Sequence, residues 1–310
     1  MHLTVHSALK GEPRSANKLY GNLFLMKPLF NQKVKKMILL VASNKDIASL
    51  TITRQVLDHY PFKVTGTTFQ KNPVYHAQVN RKEVTLVLLN EETINAQTLT
   101  DSFINPDLIV FISRHSSTSG NPTLSVHTPG NIGPAEYGGL PRQVSVSPAT
   151  AMHDALKALL FFKEGMQLDY EVSYECTHHG PSLNAPTMFV ELGSSEKQWR
   201  DSKAAEAVAH AALSAIGKFA VSDSQAVLGI GGTHYNQKFT RMALDDEAVF
   251  GHMVPKYAVP LVNSEMLQHC VNKTLERVEC AILDWKGIKS ADKPQLLNAL
   301  SEAGLSYKKV

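Results

Sequence analysis

Between Ile38 and Ile230 the chain carries seven short runs rich in Val, Ile, Leu, Thr and Phe. They span 38–43, 84–89, 108–112, 123–127, 171–177, 187–192 and 226–230. Most end in turn residues, which is the pattern of buried strands. Helical periodicity fills several of the gaps. Asp46 to Tyr60 places Ile47, Leu50, Val56 and Leu57 on one side, with Ser43 or Asn44 as a candidate cap. Ser147-Pro148 opens a helix running to Lys163, with Met152, Ala155, Leu156, Leu159 and Leu160 on one face. Ser194-Ser195 opens a long one to about Ile216, which Gly217 is expected to stop. Further helices are expected over Met266–Val278 and Lys293–Glu302. Strands alternating with helices predict a three-layer α/β/α fold. The alternation falters around 123–145 and 171–192, so the central sheet is expected to be mixed. No Pro/Gly/Ser linker divides 37–310, which reads as one domain.

Hydrophobic residues make up 43 % of the 310, enough for a sizeable core. No apolar run reaches the ~18 residues of a membrane span. Cys176, Cys270 and Cys280 form no CxxC and no disulfide framework, which suits a reducing cytoplasm. The net charge of +3 is uneven. Residues 1–36 hold seven Lys or Arg and only Glu12, leaving 24 basic and 27 acidic residues in 37–310. The body is therefore not a globally basic DNA binder, and any RNA contact must be local. The first buried strand opens after Met37. Residues 1–36 read as an extension outside the fold, with a targeting segment or a basic RNA arm as the other readings.

Three strand ends bring histidine beside glycine and proline: His127 to Gly133 (HTPGNIG), Thr177 to Pro181 (THHGP) and Gly229 to Tyr235 (GIGGTHY). Open α/β sheets build sites where strands end. Histidine is both the commonest metal ligand and the usual proton shuttle near neutral pH. If extended, His178 and His179 would point to opposite faces, but the Gly180-Pro181 loop can turn both to one site. Glu191 ends an apolar strand, where a carboxylate must be paired, act as a base or bind metal. Glu175 either faces solvent or orients a histidine. Arg114 and His115 follow the strand 108–112 and suit contact with phosphate or a carbonyl, or form an ordinary polar loop. Gly229-Ile230-Gly231-Gly232 matches neither GxGxxG nor the Walker pattern, so its use is close backbone approach to a ligand. Cys176, inside an apolar strand, reads as a packed thiol rather than a nucleophile. The absence of HExxH and GxSxG disfavours common zinc proteases and the usual serine hydrolases.

The ordered set SRH (113–115), VHTPGNIG (126–133), ATAMHDALKAL (149–159), THHGP (177–181), PTMFVELGSSEKQW (186–199), GIGGTHY (229–235) and GHMVPKYAVP (251–260) resembles the D-aminoacyl-tRNA deacylases of the archaeal and plant type. The resemblance spans most of 37–310. It implies hydrolysis of the ester joining a D-amino acid to the 3′ end of tRNA, dependence on Zn²⁺, and a fold related to peptidyl-tRNA hydrolases and phosphorylase-like proteins. Chemistry then suggests His178, His179 and Glu191 as zinc ligands, with His127 and His234 close behind. A site of this kind wants about three protein ligands and one open position. His127, His234, Arg114 and His115 are the expected catalytic groups. Backbone at Gly130, Gly133, Gly231 and Gly232, with Thr233, is expected to surround the substrate's Cα. A monomer acting in the cytoplasm on the acceptor end of tRNA is expected. The rival readings are a zinc-dependent peptidase or amidohydrolase acting on small molecules, and a non-catalytic tRNA-binding module.

Overall fold

The computed structural model describes residues 37–221 and 223–310. The expectations for 1–36 lie outside the described residues. Two sheets organise the rest. The larger is built from β1 (Ile38–Ser43), β2 (Lys63–Phe69), β3 (Asn72–Val79), β4 (Lys82–Leu89), β5 (Leu108–Arg114), β6 (Thr123–His127), β7 (Glu171–Tyr174) and β8 (Thr187–Gly193). Its order is β2-β3-β4-β1-β5-β8-β6-β7. Strands β4, β1, β5 and β8 run parallel, and β6 pairs antiparallel with β8 before pairing parallel with β7. The central sheet is therefore mixed. The smaller, all-parallel sheet joins β9 (Gln225–Gly231), β10 (Phe250–Val254), β11 (Arg277–Asp284) and β12 (Tyr307–Lys309) in the order β10-β9-β11-β12.

Helices flank this framework: α1 (Ile47–His59), the short α2 (Leu99–Ser102), α3 (Ala149–Gly165), the short α4 (Glu196–Trp199), α5 (Ser202–Lys218), α6 (Gln237–Leu244), α7 (Ser264–Asn272) and α8 (Lys293–Glu302). Alternation along the central strands decides which face meets them. Leu40, Val110, Ile112, Val126, Met188 and Val190 join one core cluster with buried residues of α1, α3 and α5. Leu39, Val41, Phe111 and Phe189 point the other way, into a smaller cluster with Leu99, Leu183 and Ala185. No described helix is long and apolar enough to cross a membrane.

Several boundaries differ from the sequence expectation. Asp46, not Ser43 or Asn44, caps α1 by accepting from the Ser49 backbone N–H, while Ser43 donates to the Glu91 carbonyl. The single helix expected over 194–216 is two. Asp201 accepts from the backbone N–H groups of Lys203 and Ala204 and starts α5 afresh. Gly217 does not end α5, which continues to Lys218. The helix expected to reach Val278 stops at Asn272, and Val278 instead pairs with Ala226 in the smaller sheet. The strand expected over 171–177 leaves the sheet after Tyr174, which frees Glu175, Cys176 and Thr177 to line the site. Strand β2, all but fully exposed, carries no alternation to reveal it.

Candidate active site

The site is centred on the central sheet's reversal, where β8 meets the antiparallel β6. Glu191 lies in β8, in register with Ser113 on β5 and Ser125 on β6. Register neighbours share a face, so Ser113 donates to Glu191 Oε1 at 2.6 Å. His127 ends β6 two residues beyond Ser125, on that same face. Its ring stacks on Phe189 at 5.1 Å between centroids, and its Nε2 lies 3.5 Å from Glu191 Oε2. This is the face away from α1, α3 and α5.

The THHGP loop folds over it. His179 adopts a left-handed φ of 43°, a conformation that non-glycine residues hold only where the surroundings enforce it. That turn brings the adjacent rings of His178 and His179 to 4.2 Å, and both pack against His127, at 4.4 and 4.9 Å. The three imidazoles share an orientation. Nδ1 of His127 faces the Thr128 carbonyl at 3.3 Å, that of His178 the Cys176 carbonyl at 2.8 Å, and that of His179 the Gly180 carbonyl at 2.6 Å. A carbonyl only accepts, so each Nδ1 carries a proton, and in a neutral ring Nε2 then keeps its lone pair. Burial, with the neighbouring His179 and His127, pushes His178 well below the usual histidine range. Burial and His127 bring His179 down to about 4. Both are therefore neutral at pH 7.

A second group adjoins this one. Glu175 is fully buried. Its Oε1 lies 3.1 Å from His115 Nδ1, and its Oε2 accepts from His234 Nε2 at 2.9 Å. Glu191 Oε2 lies 3.7 Å from His115 Nδ1, and Tyr235 hydrogen-bonds to His115 Nε2. Burial opposes charge on His115 and on both carboxylates, but their mutual attraction wins. His115 is held well above the ordinary histidine value, and Glu175 and Glu191 well below that of a carboxylic acid. His234 is likewise raised against its burial, by hydrogen bonds to Cys176 and Glu175. Cys176 is a buried, packed thiol, with Sγ 3.3 Å from His234 Nδ1. Tyr257 Oη lies 3.2 Å from the same nitrogen.

Two buried negative charges thus face positive charge on His115 and His234. A single divalent cation would balance the same two carboxylates. His127 Nε2 is buried and has no hydrogen-bond partner. The donor atoms of His127, His178 and His179 lie within 4.8 Å of one another, as do those of Cys176, His178 and His234, and those of His115, Glu175 and Glu191. The residues fit a metal ion. The structure groups His178 and His179 with His127, and groups Glu191 with His115 and Glu175.

Two cavities meet at His178, His179, His234 and Tyr137. One, of about 670 Å³, is bordered by Arg114, His115, Glu191 and Tyr235. The other, of about 430 Å³, is bordered by Gly130, Gly133, Tyr257 and Leu261. Arg114 is anchored: its backbone N–H donates to Asp46, and its guanidinium pairs with Glu92 at 3.0 Å. Gly231, Gly232 and Thr233, expected around the substrate, border neither cavity. Gly231 abuts Ile288 and the Asp284 carbonyl, and the Thr233 hydroxyl donates to the Tyr235 carbonyl. Reasoning from sequence alone missed Tyr257 and left Glu175 as a choice between solvent and support. Its position directly before Cys176-Thr177-His178-His179 was the available signal.

A family profile for D-aminoacyl-tRNA deacylase matches residues 102–308. The chain belongs to the D-aminoacyl-tRNA deacylase family. The D-aminoacyl-tRNA deacylase of Thermococcus kodakarensis is 36 % identical over 277 residues, covering 87 % of this chain and 99 % of that one. Its counterpart in Methanocaldococcus jannaschii is 32 % identical over 282 residues, covering 88 % and 99 %. A crystal structure described as a conserved protein of unknown function superposes with a TM-score of 0.77. It is 32 % identical and covers 88 % of this chain and 95 % of its own. The family match takes in Arg114, His115, His127, Glu175, the two adjacent histidines, Glu191 and His234.

Proposed function

We propose that this chain hydrolyses the ester of D-aminoacyl-tRNA, releasing free D-amino acid and tRNA, with the assistance of zinc. Family membership makes it an enzyme, a hydrolase of the aminoacyl-tRNA ester bond. The observation that carries the mechanistic reading is the shared orientation of His127, His178 and His179. One ligand atom of each lies within 4.8 Å of the others, and His178 and His179 border both cavities.

These three histidines would hold the zinc, with Glu191 beside them. When bound, zinc polarises an ester carbonyl and lowers the pKa of a water toward ~7. Glu191 Oε2 orients the attacking water and accepts its proton as the water oxygen bonds to the ester carbon and the ester C–O bond breaks. His115, charged between two carboxylates and bonded to Tyr235, fixes Glu191 and Glu175. His234 carries a proton on Nδ1, beside Tyr257, and donates it to the departing ribose oxygen. The larger cavity, with Arg114 and Tyr235 at its edge, takes the terminal adenosine. The smaller takes the amino-acid side chain, and the backbone at Gly130 and Gly133 restricts the configuration at Cα. Residues 37–310 are the catalytic domain, and 1–36 an extension to it. The enzyme works as a monomer in the cytoplasm, a setting with which its three free cysteines accord.

The test is deacylation of D-Tyr-tRNA and L-Tyr-tRNA, with and without a chelator. The D form is expected to lose its amino acid much faster, and the chelator to suppress that loss. Equal rates for the two forms overturn the assignment. Full activity after chelation overturns the role of zinc.

A further inference from the structure

Helix α1 is capped by Asp46, against the active site, and ends at His59, about 20 Å away at 1.5 Å per residue. There it lies beside α5, and three side chains converge. Glu206 and His210 stand four residues apart on α5, on the same helix face. Glu206 Oε1 lies 3.6 Å from His59 Nε2 and 3.5 Å from His210 Nε2. We propose that His59, Glu206 and His210 form a second divalent-cation site, separate from the active site, that clamps the last turn of α1 to α5.

Three features carry this. The first is spacing. Ring N–H to carboxylate hydrogen bonds run ~2.7–3.2 Å, and these separations exceed that range. Donors held ~2.0–2.1 Å from a tetrahedral zinc lie roughly 3.4 Å apart, close to what is seen. The second is support behind a ligand. His210 Nδ1 lies 2.9 Å from Tyr60 Oη, and its ring stacks on Phe162 at 4.9 Å. In the tautomer whose Nδ1–H donates to Tyr60, Nε2 presents its lone pair toward Glu206. A partner of this kind fixes the tautomer and orientation of metal-bound histidine. The third is access. His59 is 40 % exposed and Glu206 29 %, so an ion can enter and solvent can complete its shell. Two imidazoles and one carboxylate select Zn²⁺, or Ni²⁺ and Cu²⁺, over Mg²⁺ and Ca²⁺. The donors come from two helices of the main core, so the ion acts as a cross-link and stabilises the folded state by mass action.

The experiment is Zn²⁺ titration of the full chain after chelator treatment, read by calorimetry and by melting temperature. Glu206→Gln and His59→Asn are expected to bind one equivalent fewer than the wild type, or to bind that equivalent at least tenfold more weakly. They should also lose the zinc-dependent rise in melting temperature attached to it. Deacylation by both variants, assayed with zinc present, should stay within twofold of wild type. His178→Ala, altered only in the active site, should keep the equivalent that Glu206→Gln loses. Wild-type stoichiometry and affinity in both Glu206→Gln and His59→Asn overturn the proposal. So does loss of the same equivalent in His178→Ala.

Discussion

Glu175 Oε2 accepts a hydrogen bond from His234 Nε2 at 2.9 Å, although 59 residues separate them. Glu175 follows β7 of the larger sheet, and His234 follows β9 of the smaller one. The bond ties the two sheets together at the point where the two cavities meet. It also fixes which nitrogen of His234 faces Tyr257.

Glu175→Gln removes a charge that raises His115 together with Glu191, and His234 together with Cys176. Deacylation of D-Tyr-tRNA should fall by about 100-fold, the scale of a lost acid–base contribution. Retention of more than a third of the wild-type rate would show that Glu175 is dispensable.

His178→Ala and His179→Ala should each lower activity, and at least one should lower bound zinc, read by elemental analysis of the purified protein. His127→Ala should do both, since its Nε2 is buried without a partner. If these variants keep full metal and full rate, the three imidazoles are structural.

The smaller cavity is narrow at Gly133, where an added Cβ would lie 2.6 Å from Leu261 Cδ1. Leu261 is 45 % exposed and can give way at a cost, so a larger side chain at position 133 fills space rather than unfolding the chain. Gly133→Val should reduce kcat/KM for D-Tyr-tRNA by at least tenfold and leave D-Ala-tRNA within threefold. Equal losses for the two substrates would remove this cavity from side-chain recognition.

His252 is fully buried. Met253 N–H donates to Thr177 Oγ1, the Thr177 hydroxyl donates to His252 Nδ1, and His252 Nε2–H donates to the Lys273 carbonyl. This chain leaves Nδ1 no room for a proton, and burial takes the ring down to about 4. A folded value below the unfolded ~6.5 means that the unfolded chain binds the proton more readily. The stability from this group is complete above about 6.5 and is lost as pH falls toward 4. NMR should find the His252 ring neutral, with its proton on Nε2, at pH 5.5. A ring titrating near 6.5 would contradict the arrangement.

A chain beginning at Met37 should fold and deacylate both whole tRNA and an acceptor-stem mimic as the full chain does, at every salt concentration. The removed segment carries a net +6. A raised KM for whole tRNA together with a flatter salt dependence would identify it as an RNA arm. Failure to fold would show that it packs on the core.

The central strands were legible because burial on both faces leaves near-continuous apolar runs, as in Ile38-Leu39-Leu40-Val41 and Leu108-Ile109-Val110-Phe111. Strands β2 and β3 escaped notice because β2 is exposed up to its last residue and β3 opens Asn72-Pro73. Strand β11 was hidden for another reason. The helical pattern that begins at Met266 runs on into Val278, and only the smaller sheet's pairing breaks it. Within the site, the histidine loops were visible from their neighbouring glycines. The grouping of the histidines was not, because it depends on the left-handed turn at His179 and on the antiparallel placing of β6. Neither is encoded by a local pattern.

The central sheet is a partition. Alternate residues of one strand, such as Val190 and Glu191, serve different masters: one packs beneath α5, and the next faces substrate. Changes to the helix-side core at Ala151, Ala158 or Ala205 therefore lie a full backbone layer from the histidines. Effects of well-separated sites add. This enzyme can be hardened against heat from one side while its substrate range is rebuilt from the other, with little crosstalk between the two campaigns.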